Sequence, residues 1–246
     1  MFKEYGKLSS LMYELTKPVG SSLNGDLEYY LEKLQAVNGP ILEAGVGTGR
    51  LLIPFLQKGL EMEGLDLSKE MLAYCQKNLN KAGLTASIWQ ADLTNWSTEK
   101  QYAAIIMPTG SFGLLPNKKL ESVLANFYRQ LQPAGKLIID LELPVGYDKN
   151  QLGLREIPID ETSGILFTGT PIQIDWYQQK ASYLHRYELV KNGTVLKTEL
   201  SHFELAWYGL REFTLHLEKA NFKNIRYELN YNKQDTGSLV TFLAEK

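Results

Sequence analysis

The residues best suited to chemistry are concentrated in one run, Ile41-Leu42-Glu43-Ala44-Gly45-Val46-Gly47-Thr48-Gly49-Arg50. It reads as a short buried strand, a glycine hinge and a helix starting at Gly49 and reaching about Leu56. Glycines at alternate positions let the backbone turn tightly and approach a ligand where a Cβ would intrude. The free amides of a helix start favour polar or anionic ligand groups. A dinucleotide fingerprint needs G-x-G-x-x-G, and here Arg50 stands where its third glycine would be. The spacing is E-x-G-x-G-x-G instead. Asp66 ends the second predicted strand, at the separation where nucleotide-binding sheets place an acid on ribose hydroxyls. An ionised carboxylate accepts both hydrogen bonds of a vicinal diol. A third acid, Asp92, follows the third strand.

Acid–base and orienting groups lie further along. Glu142 closes the fifth predicted strand; His185, His202 and Tyr208 are further candidate bases. Thr109 and Ser111, in the loop after the fourth strand, can orient an acceptor, and Phe112 can stack on it. Tyr183 lies on a predicted hairpin face, and Arg211 can bind an acidic group. Some have a plainer use: Asp66 as a helix cap, Met71 as core, Glu142 as a loop cap, Arg211 in a surface ion pair. His185, His202 and His216 have no metal-ligand spacing with acids or Cys75, so no metal is expected. Cys75 falls mid-helix and reads as core. There is no G-x-S-x-G elbow and no Walker loop.

The elements that must position these groups follow from periodicity. Helices are predicted over Tyr5–Thr16 and Leu27–Val37, the latter with Leu27, Tyr30, Leu31 and Leu34 on one face. Between Pro40 and Leu141 strands and helices alternate. The strands are Ile41–Ala44, Glu61–Asp66, Ser87–Gln90, Ala103–Met107 and Lys136–Leu141. The helices are Gly49–Lys58, Ser68–Ala82 (Ser68 as N-cap) and Lys118–Leu131. Such alternation implies a parallel sheet covered on both faces, with ligands beyond the carboxyl ends of its strands. After Leu141 the pattern turns to β. Asn192-Gly193 marks a hairpin within Ser182–Trp207. A two-residue turn sets Glu188 opposite Lys197 and Arg186 opposite Glu199. The other face then carries Tyr183, His185, Tyr187 and Leu189 beside Leu196, Thr198, Leu200 and His202. A helix over Glu212–Ala220 and strands at Ile225–Tyr231 and Ser238–Leu243 close the chain.

The 246 residues suffice for one large domain with a 44% hydrophobic composition, and the formal net charge of −2 argues against a nucleic-acid partner. One cysteine excludes an internal disulfide framework and suits a reducing compartment. With neither a secretory segment nor a membrane span in view, a cytoplasmic protein is expected.

The glycine run resembles motif I of the class I S-adenosylmethionine-dependent methyltransferases, small-molecule type. The resemblance extends over about Pro40–Leu141, through Asp66, Ser68-Lys69-Glu70-Met71-Leu72 and Asp92. It returns at Gly209–Thr214 and Leu217–Phe222, where Asn221 replaces the usual glycine; Asn221 also tolerates a left-handed cap. It implies an α/β fold with a Rossmann-like, mostly parallel seven-stranded sheet and helices on both faces. One domain of 1–246 is expected: an N-terminal helical cap (1–39), a cofactor-binding core (40–141), an antiparallel β insertion (142–211) and the C-terminal part of the core (212–246). It implies S-adenosylmethionine, leaving S-adenosylhomocysteine, held by Tyr13, Glu43, Gly45, Gly47, Gly49, Asp66, Leu67, Met71, Asp92, Leu93 and Thr109. Glu142, Tyr208 and His185 are the catalytic candidates, and Ser111, Phe112, Tyr183 and Arg211 the substrate-binding ones. The missing D/N-P-P-Y/F motif disfavours exocyclic-base methylation. The expected activity is in-line methyl transfer to a nitrogen or oxygen of a small molecule by a monomer or homodimer. Methylation of protein or RNA, or cofactor binding without turnover, are the alternatives.

Overall fold

A computed structural model describes residues 5–233 and 237–246. The first strand, β1 (Ile41–Ala44), is buried at all four positions and pairs in parallel with β2 (Met62–Asp66) and β4 (Tyr102–Met107). β3 (Ile88–Gln90) extends the sheet beyond β2, and β5 (Leu131–Glu142) beyond β4. The sheet ends with β11 (Leu239–Glu245), antiparallel to β5, and β10 (Lys223–Leu229), antiparallel to β11. The order is therefore β10-β11-β5-β4-β1-β2-β3. It reverses between β1 and β4, the point at which such sheets open a crevice.

Side chains alternate across this sheet as strand geometry requires. Leu42, Ala44, Ile105 and Met107 pack on one face, toward α5 (Leu120–Gln130) and α6 (Leu210–Lys219). Ile41, Ala104 and Ile106 pack on the other, toward α2 (Asp26–Leu34), α3 (Leu52–Gln57) and α4 (Lys69–Ala82). In α5 the buried Leu120, Val123, Leu124 and Phe127 form a stripe at helical spacing. Each such side chain contributes about 1.5–3 kcal/mol by leaving water.

Helix ends explain where the elements depart from expectation. α3 begins at Leu52, not Gly49, because Gly49 is left-handed at φ +82°. Pro54 falls in its first turn, where a missing N–H costs no intrahelical bond. The amides near a ligand are thus those of the glycine loop itself. Ser68 caps α4, accepting from the Met71 amide at 3.1 Å, and the left-handed Gly83 ends it. Asn221 takes φ +70° after α6, the left-handed cap expected of it.

Residues 153–206 form a second, fully antiparallel sheet, in the order β6 (Gly153–Pro158), β7 (Ser163–Asp175), β8 (Lys180–Lys191) and β9 (Thr194–Ala206). Asn192 and Gly193 have φ of +48° and +72°, as a tight hairpin turn needs. The predicted register holds for only two pairs. Val190 faces Val195, but Leu189 faces Lys197, leaving Leu196 as a bulge. Glu188 therefore faces Thr198 and Arg186 faces Leu200, and those two side chains pair with each other along β8 at 2.6 Å. The slip also exchanges the residues sharing a face with Tyr183, His185 and Tyr187. They are Phe203, Ser201 and Glu199, not His202, Leu200 and Thr198. α1 (Lys7–Thr16) packs its Leu8, with Leu11 and Met12, on Ile157, Ile165 and Tyr187 of this sheet.

Candidate functional site

The glycine loop leaves β1 with Gly45, Gly47 and Gly49 all left-handed, at φ +85°, +56° and +82°. A Cβ on Gly49 would lie 2.9 Å from the Cys75 sulfur, whereas one on Gly47 would meet nothing within 4 Å. Gly49 therefore serves packing, and Gly47 turns its Cα toward open space. The Gly47 amide donates to one Asp66 oxygen at 2.9 Å and the Ser68 amide to the other at 2.8 Å. Asp66 so ties the loop to the start of α4, with lone pairs left on both oxygens. Burial raises its pKa, opposed by these backbone hydrogen bonds.

Beside the loop four buried polar atoms lack a protein partner: Glu43 Oε2, Thr48 Oγ1, Arg50 Nε and Ser21 Oγ. Glu43 is only 4% exposed, and desolvation pushes its pKa up to about 8 against the pull of Arg50. An acceptor carboxylate and a guanidinium donor left open together fit the ammonium and carboxylate of an amino-acid moiety. That is the end of S-adenosylmethionine which the sequence resemblance assigns to this loop. Leu67 is exposed at the tip of β2, Met71 is buried in the first turn of α4, and Leu93 is buried after β3. Asp92 accepts from the Thr94 amide at 2.9 Å.

Arg50 does what the residue run alone could not disclose. Buried, it donates through Nη1 to the Ser21 carbonyl at 2.7 Å and to Asp26 Oδ1 at 3.1 Å, and through Nη2 to Asp26 Oδ2. Burial raises the pKa of Tyr13, and the charge of Arg50 opposes the rise. The placement of Arg50 at the third-glycine position was the available signal.

A second group of candidate residues lies at the ends of β4 and β5. Thr109 has φ +56°, a conformation costly for a β-branched residue, and its amide donates to Asp140 Oδ2 at 2.7 Å. Asp140 is fully buried and also accepts from Tyr231 and Thr241, both at 2.6 Å. Burial pushes its pKa up to about 6 despite these donors. Glu142 lies two residues further along β5, and Ser238 donates to its Oε1. It lines two cavities. One, of about 220 Å³, adjoins Leu23, Asn24, Thr109 and Tyr231. The other, of about 260 Å³, adjoins Tyr147, Tyr183, Leu205 and Trp207.

Thr109, Glu142 and Tyr183 are thus gathered around the two cavities, and other expected residues lie apart from them. Phe112 is fully buried, edge-on to Phe213 at 5.4 Å and 6.3 Å from Tyr208, so it has no face free for stacking. The Ser111 hydroxyl donates within its own loop to Pro108 at 2.9 Å. Tyr208 is buried, its hydroxyl unpartnered and its pKa raised to about 12 by burial. His185 sits among Phe167, Tyr183, Tyr187 and Phe203, stacked on Phe203 at 4.8 Å, and burial lowers its pKa to about 4. Arg211 is exposed at the start of α6 and lines neither cavity. Asp140, Tyr147, Trp207 and Ser238 went unread in the sequence. Among the described residues no cluster of His, Cys, Asp or Glu is placed to hold a metal.

Residues 41–135, which span the glycine loop, Asp66, Asp92 and Thr109, match the family model described as a methyltransferase domain. Over 151 residues it is 33% identical to the glycine/sarcosine N-methyltransferase of Halorhodospira halochloris, covering 60% of this chain and 54% of that one. The chain spans about half the length of several curated relatives it matches. The sugar N-methyltransferase KedS8 from Streptoalloteichus sp ATCC 53650 superposes with a TM-score of 0.80 at 16% identity, over 100% of this chain and 95% of that one. The S-adenosylmethionine-bound amino pentose methyltransferase CalS10 from Micromonospora echinaspora gives 0.73 at 16%, over 100% and 99%. At such identity the likeness establishes the fold. The fold is the Rossmann-like architecture the glycine run implied, with the antiparallel sheet included in the superposition. Among the described residues no helix is long and apolar enough to cross a membrane.

Proposed function

We propose that this chain transfers a methyl group from S-adenosylmethionine to the nitrogen of a small-molecule amine. The observation that carries the reading is the placement of Glu142. An acceptor carboxylate stands between two cavities at the same strand ends that hold the glycine loop and Asp66. The relatives add support, since those compared are named as a glycine/sarcosine N-methyltransferase, a sugar N-methyltransferase and an amino pentose methyltransferase.

Bound S-adenosylmethionine supplies a methyl already activated by a sulfonium. The chain's residues have the remaining tasks. Glu43 and Arg50 hold the amino-acid end, Asp66 takes the ribose hydroxyls, and Asp92 reaches the adenine side between Leu67, Met71 and Leu93. Tyr13, on α1, covers the loop through Arg50. An amine attacks only when neutral, so Glu142 orients the acceptor nitrogen and takes its proton. Residues 142–211 act as an insertion roofing the site within one domain. Cavities of 220–260 Å³ suit a small acceptor better than a protein or RNA segment.

The test is calorimetric titration with S-adenosylhomocysteine, followed by an assay of its release from S-adenosylmethionine across a library of amines. Micromolar binding is expected, lost in Asp66→Ala and Gly47→Val, with turnover lost in Glu142→Gln. No binding by the unaltered chain sinks the reading. Binding without release on any amine favours a cofactor-binding protein.

A further inference from the structure

The cavity beyond β5 has a particular chemistry. Two of its lining residues, Tyr147 and Trp207, carry buried polar atoms without a protein partner: the phenol oxygen and the indole Nε1. Folded proteins seldom leave such atoms unmatched. An indole N–H only donates, so its missing partner is an acceptor; the phenol can donate or accept. The rings are held in place. Tyr147 meets Tyr183 edge-on at 5.8 Å, and Trp207 meets Trp176 edge-on at 5.5 Å. Leu205 and Ala181 add apolar surface.

The missing acceptor is uncharged. Among the described residues, Glu142 is the one ionisable group besides tyrosines lining this cavity, and no Lys, Arg or His lines either cavity. A ligand carboxylate or phosphate would be desolvated beside a carboxylate, with no cation to offset it. Arg211, the sequence's candidate for an acidic substrate group, points the same way by lying outside both.

We propose that the acceptor is an amine on an oxygen-bearing frame. Its hydroxyl or ether groups bond Tyr147 and Trp207, and it carries no anionic group. These two residues would then set specificity while Glu142 receives the amine. The proposal rests on the methyl-transfer reading.

The test uses the full chain saturated with S-adenosylhomocysteine and three amine probes. They are the methyl glycoside of an amino-deoxyhexose, cyclohexylamine as the oxygen-free frame, and glycine as the anionic amine. The glycoside is expected to bind at least 10-fold tighter than either of the others. Tyr147→Phe and Trp207→Phe each remove one hydrogen-bonding atom and keep a ring. Each is expected to weaken the glycoside about 3- to 10-fold, the worth of one neutral hydrogen bond, and to leave cyclohexylamine unchanged. A merely structural role would weaken both alike. Tighter binding of glycine, failure of the glycoside to bind, or variants that leave the ratio unchanged overturn the proposal. The saturation step separates the two readings. Absent S-adenosylhomocysteine binding removes the methyl-transfer reading and this one with it, whereas intact binding with the wrong preference removes this one alone.

Discussion

Two buried carboxylates give the residue scale its clearest consequences. Asp140 holds the strained Thr109 amide and two hydroxyls at once. Asp140→Asn leaves at least one buried donor facing an amide N–H instead of an oxygen, at about 1–3 kcal/mol. Thermal unfolding should show that loss, and methyl transfer should fall more than S-adenosylhomocysteine binding, because the loop released belongs to the acceptor side. Glu43 governs pH dependence. Its folded pKa of about 8 exceeds its unfolded value near 4.5, so the folded ligand-free chain keeps a proton that the unfolded chain gives up. Stability from this group is full below about pH 4.5 and is lost as pH rises toward 8. Glu43→Gln should flatten the fall in melting temperature across that window. The proposed ammonium of the cofactor favours the ionised form, so binding to the unaltered chain should release a proton. Calorimetry in buffers of different ionisation heat reads this directly; equal apparent enthalpies would contradict it. Glu43 and Asp66 were legible because local spacing places them at strand ends. Arg50's partner was not: Asp26 lies 24 residues earlier, and nothing in the intervening sequence marks it.

Among the elements, α1 is the one that joins the antiparallel sheet to α4 beside the glycine loop. Glu199 of β9 accepts from the Leu8 amide at 3.0 Å, the Ser9 amide at 3.2 Å and the Ser9 hydroxyl at 3.0 Å, capping the helix from a distant strand. A Cβ on Gly6 would come within 2.6 Å of that carboxylate, which would have to swing aside from the helix start. Further along α1, Glu14 accepts from Asn78 of α4 at 3.0 Å, and Asn78 also donates to the Thr48 carbonyl at 3.1 Å. Caps of this kind contribute about 0.5–2 kcal/mol. Glu199→Ala should therefore speed hydrogen exchange across residues 7–16 and raise the dissociation rate of S-adenosylhomocysteine several-fold, with exchange in β1, β4 and β5 unchanged. Unaltered exchange in α1 would refute the cap. The hairpin carrying Glu199 was legible from Asn192-Gly193, but its register was not, since a bulge at Leu196 has no sequence mark. β7 has no clean strand pattern because Gly164, Gly169 and Pro171 interrupt it, and Pro171 sits where its pairing with β8 is interrupted.

At the scale of the whole molecule, the alternation of strand and helix over 41–141 could be read because every step in it is local. What assembles the halves is not local: Leu8 reaches Glu199 across 191 residues and Tyr231 reaches Asp140 across 91. The cores divide in the same way. α2 lends Tyr29, Tyr30 and Leu34 to the core of the parallel sheet, while the buried apolar residue of α1, Leu8, belongs to the cluster on the antiparallel sheet. Removing residues 1–16 should then spare the parallel sheet and strip one face of the other. Far-ultraviolet circular dichroism should keep its strand and helix signature apart from the lost helix. Ile157, Ile165 and Tyr187 should become accessible, raising binding of a hydrophobic dye. S-adenosylhomocysteine affinity should fall, because Tyr13 leaves Arg50 and Glu14 leaves Asn78. Asp26 remains to hold Arg50, so binding should weaken and not vanish. A truncated chain that binds the cofactor as tightly as the intact one would place α1 outside the site. One that unfolds outright would show that the two sheets share a single cooperative core, against the division drawn here.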